Sequence, residues 1–135
     1  MRVRTHLRQS GFTLIELLVV ITLILVLLSI ALPNYSTAMQ RAREARFHSN
    51  VAMLNKVIQS YSLDKKKAPQ TPEDLVQAGY LKTIPDDITG RTDTWVWEQE
   101  DPQQAWDPNN PGIGSVHSGS NEVSTEGTPY SSWSK

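Results

Sequence analysis

The chain has 135 residues, a net charge of -1 and no cysteine. This length allows one small domain with a membrane segment, and not two full domains. The absence of cysteine excludes disulfides, thiolate metal sites and cysteine nucleophiles, and the near-neutral charge gives no support for a nucleic-acid partner. A small extracellular domain without disulfides needs another source of stability, such as a metal, a bound partner or an assembly.

The N-terminal third combines a short basic segment, residues 1–11, with a long apolar segment, residues 12–32. As a helix, the apolar segment would span roughly 31 Å, which is enough to cross the hydrocarbon core of a bilayer. We therefore predict a transmembrane helix over residues 12–32. Arginines flank this helix almost equally, at positions 2, 4 and 8 and at positions 41, 43 and 46. The leader contains no acid, which favours a cytoplasmic N-terminus.

Residues 33–64 are predicted to continue the helix as an amphipathic segment. Pro33 either ends the first helix or kinks a longer one, because proline lacks the N–H that an interior helical position needs. Beyond it, apolar residues recur at steps of four, three, four and three, which is the spacing of one helical face. This stripe comprises Phe47, Val51, Leu54, Ile58 and Tyr61.

Residues 65–135 have the composition of a loop-rich head. A short helix is predicted over residues 72–79, with Thr71 as its N-terminal cap and Gly79 as its stop. Two strands are predicted after it, over residues 94–98 and 113–118. The fold class is therefore α+β, with a long N-terminal helix packed on a small antiparallel sheet. Trp95 and Trp97 share one face of a strand, where they pack in the core or form a platform for a carbohydrate or a base.

The residues from Gly11 to Val20, GFTLIELLVV, carry the most informative motif. They resemble the leader-cleavage signal of type IV pilins and pseudopilins, with a glycine before the cut, a phenylalanine after it and a glutamate at the fifth mature position. The resemblance implies a type IV pilin-like fold. It also implies a prepilin peptidase that removes residues 1–11 by cutting between Gly11 and Phe12, and that N-methylates Phe12.

Glu16 is a charged residue within the predicted membrane span. An ionised carboxylate there costs about 2.5–3.5 kcal/mol on insertion scales, and a simple anchor would gain from leucine. Cleavage after Gly11 would create a cation nearby, the new amine of Phe12. That amine would pair with Glu16 of the same chain or of a neighbouring subunit, which makes Glu16 a candidate assembly residue. The alternative is that Glu16 lies at headgroup depth and reaches water.

Residues 69–81 and the C-terminal tail resemble the major pseudopilin of type II secretion. The resemblance implies a homopolymer, the pseudopilus, that grows from the bacterial inner membrane into the periplasm and drives the export of folded proteins. Its implied partners are minor pseudopilins and the inner-membrane secretion platform. The subunit itself would do no chemistry.

The resemblance also raises the question of a calcium ion, because major pseudopilins often bind calcium in the C-terminal loop. This chain has Asn121 and Glu122 where an Asp-Gly pair would be expected. Calcium takes six to eight oxygen ligands, and fewer carboxylates weaken its binding. The candidate site is Ser118, Asn121 and Glu126. The alternative is a loop without metal, held by turn hydrogen bonds and by the packing of Tyr130 and Trp133.

Three other functional hypotheses remain open. One is a type IV pilin for adhesion or DNA uptake. Another is a singly anchored binding domain that uses the tryptophan face. A third is a secreted protein cut by ordinary signal peptidase at Ser29-Ile30-Ala31, whose small residues fit that enzyme. No enzymatic motif stands out, since the adjacent acids Asp86 and Asp87 are typical of a turn and the three histidines have no ligand spacing.

Overall fold

The computed structural model describes residues 11–134, and the predicted leader, with its three arginines, lies almost entirely outside them. The described chain forms an α+β fold, which confirms the predicted class. Its contacts divide the chain into two compact units, with the boundary in the sequence between Ala38 and Met39. The elements in chain order are α1 (Leu14–Lys65), α2 (Pro72–Gln77), β1 (Trp95–Gln99), β2 (Ile113–Ser118) and a short 3₁₀ helix (Tyr130–Ser132).

Helix α1 has 52 residues and continues through Pro33. A helix end at Pro33 is therefore wrong for this chain, and a kink there stays a prediction. Two hydroxyls that follow the proline bond its carbonyl oxygen, from Ser36 Oγ at 2.9 Å and from Thr37 Oγ1 at 3.2 Å. Such bonds, from a hydroxyl to the carbonyl three or four residues earlier, are common for serine and threonine inside helices.

The predicted stripe of α1 forms the core of the head. All five of its residues are buried, and Val51 and Leu54 are fully inaccessible to solvent. The ring of Phe47 lies at the centre of an aromatic cluster, with ring centroids 5.8 Å from Trp95, 5.6 Å from Tyr130 and 5.7 Å from Trp133. Apolar burial of this kind is the main favourable term in folding, so this face of α1 anchors the sheet and the C-terminus.

Helix α2 begins at Pro72, as predicted, and ends at Gln77, two residues before the predicted limit. The difference comes from the stop signal itself. Gly79 has φ of +81° and donates to Val76 O at 3.1 Å, while Tyr80 N donates to Leu75 O at 3.0 Å. This is a Schellman motif, in which the glycine lies beyond the last helical residue and not inside the helix.

Within residues 11–134, β1 and β2 form a two-stranded antiparallel sheet, in which Trp95 is opposite Ser118 and Trp97 is opposite Val116. Strand β2 has its predicted bounds, and β1 starts one residue later than predicted. Trp95 is 5% exposed, and its indole N–H donates to Pro85 O at 2.8 Å. Trp97 also packs against the core. The tryptophan face therefore serves packing and does not form an open platform.

Candidate cleavage and assembly site

The predicted cut site lies just before α1. Gly11, Phe12 and Thr13 are outside the helix, and the Phe12 side chain is 91% exposed. A Cβ atom added at Gly11 would meet no atom within 4 Å. Steric crowding in the described fold therefore does not require a glycine at position 11. The Gly11–Phe12 bond therefore lies in an exposed segment outside the helix, where a protease could reach it.

Glu16 forms a capping box with Thr13. Its Oε2 atom accepts hydrogen bonds from Thr13 N at 2.8 Å and Thr13 Oγ1 at 3.1 Å, and Glu16 N donates to Thr13 Oγ1 at 3.2 Å. The reciprocal pair satisfies backbone donors that have no partner inside the helix. Sequence reasoning missed this partner, although Thr-x-x-Glu before an apolar run is the usual signal for such a cap.

The segment after Glu16 is apolar and open. Its large apolar side chains from Leu17 to Leu32 are between 45% and 68% exposed. The hydroxyl of Thr22 donates to Leu18 O and that of Ser29 donates to Val26 O, each at 2.7 Å. Helix α1 is long and apolar enough to cross a membrane. Both hydroxyls are therefore paired within the helix. Glu16 is the one charged side chain in residues 12–32.

The three candidate calcium ligands make separate contacts. The Ser118 hydroxyl is buried and donates to Asp87 Oδ2 at 2.7 Å, while Asn121 Oδ1 accepts from Ser131 Oγ at 3.3 Å. Glu126 is exposed, and its backbone N–H donates to Ser124 Oγ. Across residues 11–134, no group of three or more His, Cys, Asp or Glu side chains is placed to hold a metal. Calcium at this loop stays a prediction.

Two buried carboxylates were not foreseen as structural centres. Glu44 of α1 is 6% exposed and accepts from Thr125 N at 2.8 Å, from Thr125 Oγ1 and from Tyr130 Oη at 2.8 Å. Burial raises the pKa of the Glu44 carboxyl, but the hydrogen bonds from Thr125 and Tyr130 outweigh that effect and hold the pKa below its ordinary value. Burial and the bond to Glu44 in turn raise the pKa of Tyr130.

Asp87 is the second buried carboxylate, at 4% exposure, while its neighbour Asp86 is exposed. Its Oδ2 atom accepts from Thr94 Oγ1 and Ser118 Oγ, each at 2.7 Å. The predicted turn is present, because Gly90 N donates to Asp87 O at 2.9 Å. Asp87 therefore ties this turn to the start of β1 and the end of β2.

The remaining polar candidates lie on the surface of the head. Arg41, Arg43 and Arg46 are exposed on α1. His48 lies edge-on to Trp133, with ring centroids 5.7 Å apart, and His117 Nε2 lies 3.3 Å from Glu98 Oε1. His6 is outside the described residues.

Comparison with known proteins agrees with the motif at the start of α1. Residues 6–32 match the family described as the prokaryotic N-terminal methylation motif. Type II secretion system core protein G of Aeromonas hydrophila is 30% identical over 99 residues, which cover 62% of this chain and 69% of that protein. The protein of the same name from Escherichia coli K12 is 33% identical, over 62% of this chain and 68% of that protein.

A third relative comes from a different system. Competence protein ComGC of Halalkalibacterium halodurans is 30% identical over 74 residues, which cover 55% of this chain and 72% of that protein. No solved structure matches the chain. These relatives are named for secretion and competence and not for a reaction. The extent of these matches agrees with the motif at Gly11–Glu16 and with the exposed apolar helix. The chain therefore belongs to the family of type II secretion system core protein G, within the type IV pilin superfamily.

Proposed function

We propose that this chain is a structural subunit of a type II secretion pseudopilus. It is inserted as a single-pass protein of the bacterial inner membrane with its head in the periplasm. A prepilin peptidase removes residues 1–11 and N-methylates Phe12. The mature chain then polymerises with copies of itself through α1, together with minor pseudopilins and the secretion platform. The observation that carries this proposal is the single charge of Glu16 at the start of an exposed apolar helix, five residues after Gly11.

Nothing in the fold requires a glycine at position 11. A requirement from outside the chain, such as recognition by a peptidase, would explain it. A side chain at Gly11 would lie in open space, and the backbone there does not need the left-handed region. A small residue at the cut is accounted for if a protease pocket reads that position.

The capping box does not account for the charge of Glu16. Glutamine at the same position of a capping box also reaches back to the cap, and it carries no charge into the membrane. An ionised side chain costs about 2.5–3.5 kcal/mol at the centre of a span on insertion scales, and this value is an upper limit for Glu16 near the start of the segment. A neighbouring Phe12 amine would offset that cost and would fix the axial register between two subunits. The exposed side chains from Leu17 to Leu32 would pack against the same segment of those neighbours.

Export would then follow from growth of the polymer. Each added subunit would advance the filament, and the head of each subunit would present its exposed surface to the periplasm. Extension would push folded substrates toward an outer-membrane channel, with the energy supplied by a cytoplasmic ATPase outside this chain. No step in this account requires a catalytic residue.

The proposal is tested with two variants that separate the charge of Glu16 from its capping role. Glu16→Gln keeps the capping box and removes the charge, whereas Thr13→Ala removes the cap and keeps the charge. Both chains are expressed with a type II secretion platform and its peptidase, and sheared filaments and the processed chain are quantified. We expect Glu16→Gln to be processed but to form no filaments, and Thr13→Ala to form filaments. Filaments of Glu16→Gln at the unsubstituted level would contradict the proposal.

The relative named for competence favours a second candidate, a type IV pilin that acts in DNA uptake. Both candidates share cleavage after Gly11 and polymerisation through α1. They differ in the machine that assembles the subunit, so complementation of a secretion mutant and of a transformation mutant separates them. A secreted protein is less favoured, because Ser29–Ala31 lies inside α1 and not in an extended segment.

A further inference from the structure

The C-terminal loop, residues 119–134, closes on itself through its own backbone. Tyr130 N donates to Glu122 O and Ser131 N donates to Ser120 O, each at 3.0 Å. Within the turn, Ser124 N donates to Thr128 O at 2.8 Å and Gly127 N donates to Ser124 O at 3.0 Å. Calcium in a protein loop draws main-chain carbonyl oxygens as ligands. Here four such carbonyls already accept backbone hydrogen bonds.

Two of the three side chains of the candidate calcium site, Ser118 and Asn121, also have their oxygens engaged in hydrogen bonds. Ser118 Oγ donates to Asp87 and accepts from Ser120 N at 3.0 Å, so its proton and one lone pair are used. The carboxylates of the loop are Glu122 and Glu126, and both residues are exposed. No buried side-chain nitrogen or oxygen within residues 11–134 lacks a hydrogen-bond partner. The donor set does not fit a site of six to eight oxygens, and we derive no role for calcium.

The carboxylate of Glu44, in α1, binds the C-terminal loop. Glu44 lies 81 residues before Thr125, and it binds both the backbone N–H and the hydroxyl of Thr125. It also binds the hydroxyl of Tyr130, which is buried in the aromatic cluster around Phe47. Hydrogen bonds to an ionised acceptor are about twice as strong as neutral ones. One side chain of α1 therefore holds the turn and the end of the loop together.

We propose that Glu44 closes the C-terminal loop by a direct carboxylate clamp, and that the head needs no divalent cation to keep this loop folded. The charge strengthens the clamp. A glutamine at position 44 would keep one oxygen for Thr125 N and Tyr130 Oη, and its amide N–H₂ could donate to the Thr125 hydroxyl, but these bonds would be neutral and weaker. This inference concerns the folding of the head and does not rest on cleavage or polymerisation. Its failure would leave the pseudopilin proposal untouched.

The test is thermal unfolding of the full chain in detergent micelles, followed by tryptophan fluorescence. Each chain is melted in EDTA and in about 1 mM calcium, a concentration that fills sites of the extracellular class and would raise the Tm of a calcium-binding fold. We expect the same Tm in both conditions. Glu44→Gln should lower the Tm by about 4–8 °C in both, because neutral hydrogen bonds replace charge-assisted ones at a buried site.

Glu126→Gln is the matched control. It makes the same chemical change at an exposed carboxylate of the loop, and its Tm should stay within about 2 °C of the unsubstituted value. A calcium-dependent rise in Tm that Glu126→Gln abolishes would overturn the proposal, as would an unchanged Tm for Glu44→Gln. If Glu44→Gln does not fold, Thr125→Val removes the hydroxyl alone. A Tm lowered by a few degrees is then expected, and an unchanged Tm would again overturn the clamp.

Discussion

The side-chain amide of Asn55 in α1 binds both backbone groups of Val116 in β2. Asn55 Oδ1 accepts from Val116 N at 2.9 Å, and Asn55 Nδ2 donates to Val116 O at 3.1 Å. Val116 faces Trp97 of β1 across the sheet and uses its outward backbone groups for Asn55. A helix side chain thus satisfies the open edge of a two-stranded sheet, which would otherwise expose unpaired donors and acceptors.

Asn55→Leu tests this relationship. Leucine cannot accept from Val116 N or donate to Val116 O, so we expect the free energy of unfolding to fall by about 1–3 kcal/mol. Gln59→Leu removes an exposed amide from the same helix and serves as the control. Urea unfolding of the full chain in detergent measures both. Equal stabilities of the two variants would show that the bonds to Val116 contribute nothing.

The pKa of Glu44 predicts a loss of stability in acid. The folded state holds this pKa below its ordinary value of 4.5, so the folded state favours the ionised form. The stabilisation is therefore complete above about pH 4.5 and is lost as the pH falls through the folded-state value. Glu44→Gln lacks this contribution, and its stability should approach that of the unsubstituted chain as the pH is lowered.

Asp74 has a lowered pKa as well, chiefly through hydrogen bonds from the backbone N–H groups of Thr71 and Gln70, although burial opposes them. Asp74 should therefore also contribute to the loss of stability in acid. It does so equally in the unsubstituted chain and in Glu44→Gln. The difference in Tm between the unsubstituted chain and Glu44→Gln isolates the contribution of Glu44. A difference that stays constant from neutral pH down to about pH 3 would contradict the assigned cause.

Gly112→Ala should destabilise the head. A Cβ atom at Gly112 would lie 2.6 Å from Pro69 O and 2.8 Å from Ala68 Cβ. Pro69 O also accepts from Ile113 N at 2.7 Å, so relief of the contact would disturb the start of β2. Overpacking of this kind costs about 1–3 kcal/mol. Thermal unfolding measures the loss, and an unchanged Tm would mean that the segment before α2 shifts freely.

Gly11→Ala should leave the stability of the head unchanged and should impair processing by the peptidase. Its Cβ would meet open space, so the Tm of the head should not change. Processing should be slowed or abolished, because the peptidase would meet a larger side chain next to the bond that it cuts. Gel mobility of the chain expressed with and without a prepilin peptidase measures the processed fraction. Normal processing of Gly11→Ala would remove the proposed reason for the glycine.

The parts of the fold that follow a local period could be predicted from the sequence. The stripe from Phe47 to Tyr61 follows helical spacing, and the structure buries it as predicted. Strand β2 has its predicted bounds, although its buried apolar residues, Ile113 and Val116, are three positions apart and do not follow a period of two. Gly79 marked the end of α2 in the sequence. The helix ends two residues earlier, at Gln77, because the glycine of a Schellman motif lies outside the helix.

The interactions that join distant segments could not be predicted in this way. Glu44, Asn55 and Asp87 are polar, so no apolar period marks them as buried. Glu44 lies 81 residues from its partner Thr125, Asn55 lies 61 residues from Val116, and Asp87 lies 31 residues from Ser118. The pairing of a buried polar group is decided by tertiary contacts, and a single sequence does not display those. The capping box of Thr13 and Glu16 is different, because its local signal was readable.

The most direct test of the account is the mass of the mature N-terminal peptide. The full chain is expressed with the prepilin peptidase of a type II secretion system, purified from membranes and digested. We predict a mature chain that begins at N-methyl-Phe12, with Glu16 at its fifth position. A chain that begins at Leu32 would identify cleavage by ordinary signal peptidase and would contradict the filament account, as would a chain that the peptidase leaves uncut.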